Sequence, residues 1–69
     1  SVVPENIERI IKEKGIKQYA VANRAGYTKQ QFNDMLNGRK IIKAIDILAI
    51  AKALEVSPND LYGIKENVV

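Results

Sequence analysis

Cysteine, histidine and tryptophan are absent from the 69 residues, and proline occurs only twice. Without cysteine there is no disulfide, and a zinc site would need carboxylates alone, a ligand set that zinc rarely uses. The chain also lacks paired carboxylates and a phosphate-binding glycine loop, and its interior non-tyrosine hydroxyls, Thr28 and Ser57, fit helix caps. We therefore expect no enzyme, no catalytic residue, no metal and no cofactor.

Long apolar runs are absent too, and no segment has the length of a membrane span or the pattern of a signal peptide. We expect a soluble, cytoplasmic protein without membrane partners. The length predicts one domain near the lower limit for a fold without disulfides, over residues 1–69, with a core at 4–63 and a tail at 64–69 that can fray. Apolar residues form 46% of the chain, enough for a compact core.

The positive charge is unevenly distributed. Residues 17–43 carry six basic residues and one acidic residue, a net charge of +5, whereas residues 1–16 are neutral and residues 44–69 carry −2. Such a block is typical of proteins that bind a polyanion, although a solvated surface would have the same composition.

Strand patterns are missing, and apolar residues recur at helical spacing along the chain. Pro4 suits the first position of a helix that places Ile7, Ile10 and Ile11 on one face, and Gly15 suits its end. A second helix is predicted over residues 18–25, with small inward residues that allow a neighbouring helix to approach closely. Gly26 is expected to end it with a positive φ.

A third helix has strong start signals. Thr28 and Gln31 have capping-box spacing, and Tyr27 and Phe32 have the spacing of a hydrophobic staple. Residues 44–54 predict a fourth helix. Ser57 and Pro58 predict the start of a short fifth helix that Gly63 closes. The fold class predicted is therefore all-α with five helices.

The break between the second and third helices is only three residues long, so the two helices must cross steeply. The staple would anchor the inner side of the third helix and leave an outer face of polar and charged side chains. Side chains of this kind can hydrogen-bond to base edges in the major groove. This is a helix-turn-helix arrangement at helices 2 and 3. The polar outer face consists of Lys29, Gln30, Asn33, Asp34 and Asn37.

Two segments together resemble the lambda repressor/Cro-type helix-turn-helix family, also called XRE-like. They are GIKQYAVANRAGYTKQQFNDMLNGRK at residues 15–40 and ILAIAKALEVSPNDLYG at residues 47–63. The resemblance covers roughly residues 4–62. It implies a five-helix domain that binds double-stranded DNA, and a transcriptional regulator, most simply a repressor. It also implies a homodimer, since dimers are common in the family.

The resemblance also assigns site residues. The base-reading positions of the family fall on Lys29, Gln30, Asn33 and Asp34. Its phosphate-binding positions fall on Gln18, Asn37, Arg39 and Lys40, and Lys43 lies near the same strand of DNA.

Two positions depart from the family pattern. Lys17 stands where the second helix usually has a capping Ser, Thr or Asn, and Ile42-Lys43 replaces Pro-Ser before the fourth helix. Lysine at a helix start opposes the helix dipole. One interpretation is that Lys17 and Lys43 each bind a phosphate at these helix starts; the other is that both are simply solvated.

Asp34 is unusual on a DNA-binding face because a carboxylate is repelled by phosphates. It could accept a hydrogen bond from cytosine. An intrahelical pair with Lys29 or Gln30 is an equally good interpretation.

Ile41, Ile42 and Ile45 form an apolar group beside the basic segment, and Val68-Val69 could join it. This group leaves a second function open, a protein-binding helix-turn-helix module of the antitoxin or anti-repressor type. The chain has no room for a small-molecule effector beside the predicted fold.

Overall fold

The computed structural model describes residues 1–64, which form five α-helices and no strand within that range. The predicted all-α class is confirmed. The prediction that the tail can fray falls on residues 65–69 apart from its first residue, and these residues, with Val68-Val69 of the suggested apolar group, lie outside those that the structure describes. The helices are α1 (Val2–Lys14), α2 (Gln18–Ala25), α3 (Lys29–Leu36), α4 (Ala44–Leu54) and α5 (Pro58–Tyr62).

Helix α1 begins two residues earlier than predicted. Its first residue is Val2, so Pro4 occupies the third helical position rather than the first. Proline is tolerated there because none of the first four backbone N–H groups has an acceptor within the helix. The predicted end at Gly15 is confirmed, since Gly15 has φ 66° and Ile16 N donates to Ile11 O at 3.3 Å.

The turn between α2 and α3 depends on Gly26. Its φ is 88°, and the next amide, Tyr27 N, donates to Ala22 O at 2.8 Å. Residues other than glycine rarely adopt this left-handed backbone conformation, so the sharp reversal of the chain needs glycine at this position.

The core is built from one face of every helix. α2 packs against α3 and α4, while α1 packs against α3 and α5. Val21 and Ala22 of α2 are buried, and their small size allows the close approach of the neighbouring helices. The largest fully buried side chains are those of Phe32, Ile7, Met35, Ile50, Leu54, Leu61 and Val21.

Helix α4 has the predicted bounds and the predicted buried side, which includes Ile47 and Ile50. The predicted apolar group is partly wrong, because Ile42 is half-buried and packs against the core. Ile41 and Ile45 are exposed as predicted, at 80% and 73%, and Leu48, one turn beyond Ile45, is 60% exposed.

Candidate nucleic-acid interface

The start of α3 is fixed by reciprocal hydrogen bonds. Gln31 N donates to Thr28 Oγ1 at 3.1 Å, and Thr28 N donates to Gln31 Oε1 at 2.9 Å, which confirms the capping box. The predicted staple is also present, since the rings of Tyr27 and Phe32 stack with centroids 6.3 Å apart and planes 5° from parallel. These contacts hold the inner side of α3 against the core and set the direction of the helix.

The outer side of α3 carries the polar residues predicted from the sequence. Lys29, Gln30 and Asn37 are exposed, whereas Asn33 and Asp34 are half-buried. Polar groups thus cover the outward surface along the length of the helix, and the apolar side chains of Phe32, Met35 and Leu36 are directed inward.

A shallow groove of about 380 Å³ lies between the start of α2 and the first two turns of α3. It brings together five of the predicted site residues, from both helices. Ala22 and Phe32 also line it, as does Tyr19, an exposed aromatic residue that the sequence analysis did not select. The site residues along this groove are Lys17, Gln18, Lys29, Gln30 and Asn33.

The carboxylate of Asp34 has two polar neighbours. Gln30 Nε2 donates to Asp34 Oδ1 at 2.9 Å, and a guanidinium nitrogen of Arg39 lies 3.8 Å from the same oxygen. The intrahelical pair with Gln30, one of the two interpretations made from the sequence, is therefore present. The neighbour Arg39 was not predicted.

The other predicted phosphate-binding residues lie at the opposite end of α3 from the groove. Asn37 caps the helix, Gly38 has φ 78°, and the backbone amides of Arg39 and Lys40 both donate to Asp34 O, at 2.8 and 3.1 Å. The basic segment is therefore attached to the last turn of α3 through its backbone. The Arg39 and Lys40 side chains are exposed.

Lys17 and Lys43 occupy the N-cap positions of α2 and α4, as predicted. Both have extended backbone conformations, and neither makes a hydrogen bond from its side chain to the helix start. The two ammonium groups are on exposed residues, so each is accessible to an anion beside the first turn of a helix.

Asp46 is a residue that the sequence analysis missed. Its Oδ2 accepts a hydrogen bond from Lys43 N at 2.8 Å, and its Oδ1 accepts one from the Tyr27 hydroxyl at 2.6 Å. The hydrogen bond from Tyr27 is the main cause that lowers the pKa of Asp46; the bond from the Lys43 amide and the charges of Lys40 and Lys43 add to it. An acidic residue three positions after a helix N-cap was the available signal.

Within residues 1–64, no three acidic side chains lie close enough to hold a metal ion. The same residues include no helix with both the length and the apolar character needed to cross a bilayer.

Comparison with known proteins agrees with this geometry. Residues 6–67 match the family of Cro/C1-type HTH DNA-binding domains. An uncharacterised HTH-type transcriptional regulator, y4dJ, of Sinorhizobium fredii is 33% identical over 60 residues, which cover 87% of this chain and 78% of that protein. No solved structure matches the chain. The resemblance seen in the sequence is thereby confirmed, and the chain belongs to the Cro/C1-type helix-turn-helix DNA-binding domain family.

Proposed function

We propose that the protein is a cytoplasmic transcriptional regulator that binds specific sequences of double-stranded DNA, acts as a repressor, and places α3 in the major groove. It works as a single domain over residues 1–69, without catalysis or a cofactor. The observation that carries the proposal is the outward polar side of α3, supported from behind by the capping box and by the stack of Tyr27 on Phe32. Family membership and the name of the Sinorhizobium relative support the same function.

The base-reading residues in this proposal are Lys29, Gln30 and Asn33, together with Asp34, which takes part either by direct contact with a base or through its hydrogen bond to Gln30. Lysine pairs well with guanine, glutamine and asparagine pair bidentately with adenine, and a carboxylate accepts from cytosine. Their position on one surface of one short helix allows them to face neighbouring base pairs together.

The phosphate-binding residues in this proposal surround α3. They supply four cations and two amides, which would fix the position of α3 on the duplex and make the affinity strongly dependent on salt. Lys17 and Gln18 line the groove beside the start of α3, and Arg39 and Lys40 follow the other end of α3. The six residues are Lys17, Gln18, Asn37, Arg39, Lys40 and Lys43.

We further propose that the protein binds as a homodimer, whose two copies contact half-sites about 34 Å apart. The exposed apolar side chains of Ile41, Ile45 and Leu48 favour some protein contact. No small-molecule effector binds within this chain, so control comes from the amount of protein, from a protein partner or from a domain outside this chain.

The same three apolar side chains favour a second candidate function, a protein-binding module of the antitoxin or anti-repressor type. That module would use the surface of Ile41, Ile45 and Leu48 and would bind random duplex DNA weakly. The charge of residues 17–43 favours the DNA-binding function over this one.

Selection of bound duplexes from random DNA tests the proposal. We expect enrichment of one motif, with two-fold symmetry if the protein binds as a dimer. Gln30→Ala should relax the preference at one base pair, whereas Lys40→Ala should weaken binding to all sequences alike and reduce the salt slope by about one. Lys52→Ala, which removes a cation from the last turn of α4, is the matched control and should change affinity less than Lys40→Ala.

Two results would contradict the proposal. Absence of salt-dependent binding to duplex DNA would favour the protein-binding module. An unchanged motif for Gln30→Ala would show that this side of α3 does not read the bases.

A further inference from the structure

Asp34 and Gln30 are one helical turn apart on the outward side of α3, and they are joined by a 2.9 Å hydrogen bond. An ionised carboxylate only accepts hydrogen bonds. Because Asp34 accepts from Gln30 Nε2, it fixes which way the Gln30 amide faces, with the nitrogen toward Asp34 and the oxygen away from it.

This orientation leaves the Gln30 amide able to contact a base. Nε2 carries two N–H groups, and only one is needed for the bond to Asp34. The remaining N–H and Oε1 form the donor and acceptor pair that matches N7 and the N6 amino group of adenine. A free glutamine would have to lose rotamer freedom to present this pair, whereas the bond to Asp34 already restricts it.

Asp34 itself is less available to a base than its partner. Its side chain is 29% exposed, against 69% for that of Arg39, and the guanidinium of Arg39 lies 3.8 Å from the oxygen that binds Gln30. The cation of Arg39 offsets part of the repulsion between Asp34 and a DNA backbone. The carboxylate therefore has a role that does not require contact with cytosine.

We propose that Asp34 is a positioning residue, which orients the Gln30 amide so that Gln30 recognises an adenine, and that Asp34 does not contact a base itself. The inference depends on the proposed DNA-binding function. It assigns one A·T base pair of the bound site to Gln30 and makes the discrimination at that base pair depend on Asp34.

The test uses the site selected by the wild-type protein and a panel of duplexes with single base-pair changes. Gln30→Ala, Asp34→Ala and the double variant are compared across the panel. We expect Asp34→Ala to lower the discrimination by roughly tenfold at the same A·T pair that Gln30→Ala affects. The double variant should lose no more than Gln30→Ala alone, because the two residues act as one unit.

Further measurements on Asp34→Ala and on two other variants separate positioning from a structural role. Asp34→Ala should bind random duplex DNA more tightly than the wild type, since a negative charge is removed, while its thermal unfolding stays close to that of the wild type. Asp34→Glu keeps an acceptor four residues from Gln30 and should restore part of the discrimination. Asp34→Asn, whose amide can also donate, should not restore it.

The possible failures are distinguishable. If Asp34→Ala loses discrimination at a different base pair from Gln30→Ala, Asp34 contacts a base directly and the inference is wrong. If it loses none, the hydrogen bond does not orient Gln30 in the complex. If the wild-type protein itself selects no motif, the proposed function fails and the inference fails with it.

Discussion

The hydroxyl of Tyr27 donates a 2.6 Å hydrogen bond to the carboxylate of Asp46, 19 residues further along the chain. Tyr27 lies in the turn before α3, and Asp46 lies in the first turn of α4, where it also accepts from the Lys43 amide. One carboxylate therefore connects the start of α3, the start of α4 and the backbone of a proposed phosphate-binding residue.

Tyr27→Phe should destabilise the fold by about 1–2 kcal/mol. The substitution removes a hydrogen bond to a charged, half-buried acceptor and leaves the ring stack on Phe32 intact. Chemical denaturation followed by circular dichroism measures the change. Tyr19→Phe is the matched control, because the Tyr19 side chain is 59% exposed, and it should change stability little. Equal effects of the two variants would contradict the prediction.

Asp46 should make stability depend on acid pH. Hydrogen bonds, first that from Tyr27, lower the pKa of Asp46 in the folded state. The ionised carboxylate therefore stabilises the fold above about pH 4, the ordinary pKa of an aspartate side chain. The contribution is lost as the pH falls through the lowered value. The difference in unfolding free energy between the wild type and Asp46→Asn should therefore shrink as the pH falls from about 4 to about 2. A constant difference over that range would show that Asp46 does not act through its charge.

The hydrogen bond between Tyr27 and Asp46 also predicts a loss of stability at alkaline pH. Burial, and next the bond to Asp46, raise the pKa of Tyr27 above its ordinary value near 10. The unfolded chain would ionise first, so stability should decline as the pH rises above about 10. Tyr27→Phe should reduce this decline when denaturation is measured at pH 9 and pH 11, and a decline as large as that of the wild type would contradict the prediction.

Glu55→Gly should stabilise the protein by about 0.5–1 kcal/mol. Glu55 ends α4 with φ 58°, the only positive φ outside glycine among the described residues, and a side chain is strained in that conformation. Gly15→Ala is the reciprocal control, since Gly15 has a similar φ of 66° with open space around the position of a Cβ atom, and it should destabilise. Thermal unfolding of the two variants should shift in opposite directions. Shifts in the same direction would refute the strain argument.

Lys17→Ser and Lys43→Ser separate the two interpretations of the lysine N-caps. If a phosphate binds there, each variant should lose DNA affinity and show a smaller salt slope. If the lysines are only solvated, the new serine cap should raise stability by about 1 kcal/mol and leave affinity unchanged. Binding titrations at several salt concentrations, with unfolding measured in parallel, decide between them for each position.

Local patterns in the sequence were sufficient for most helix bounds. The capping box of Thr28 and Gln31 and the glycine at position 26 involve residues within a few positions of one another, so their spacing alone predicts them. The predicted start of α1 was wrong because proline is tolerated throughout the first turn of a helix. The presence of Pro4 alone does not indicate which position of that turn the proline occupies.

Contacts between distant residues were harder to predict. The bond between Tyr27 and Asp46 depends on how α4 packs beside the turn, and no spacing in the sequence indicates it. Likewise, Ile42 looked equivalent to Ile41, yet only the path of the chain between α3 and α4 decides which one contacts the core. The hydrogen bond between Gln30 and Asp34 could be predicted because the two residues are spaced i, i+4 on one helix. The approach of Arg39 could not, because Arg39 lies beyond the end of the helix.

The two amides that donate to Asp34 O keep the backbone of Arg39 and Lys40 in place before any ligand arrives. Binding to a duplex would then restrict side-chain rotamers, but the segment of Arg39 and Lys40 would not have to become ordered. The entropic cost of binding is lower for that reason. Calorimetry of the complex should accordingly give a heat-capacity change that matches the buried apolar surface, without the larger value that accompanies coupled folding.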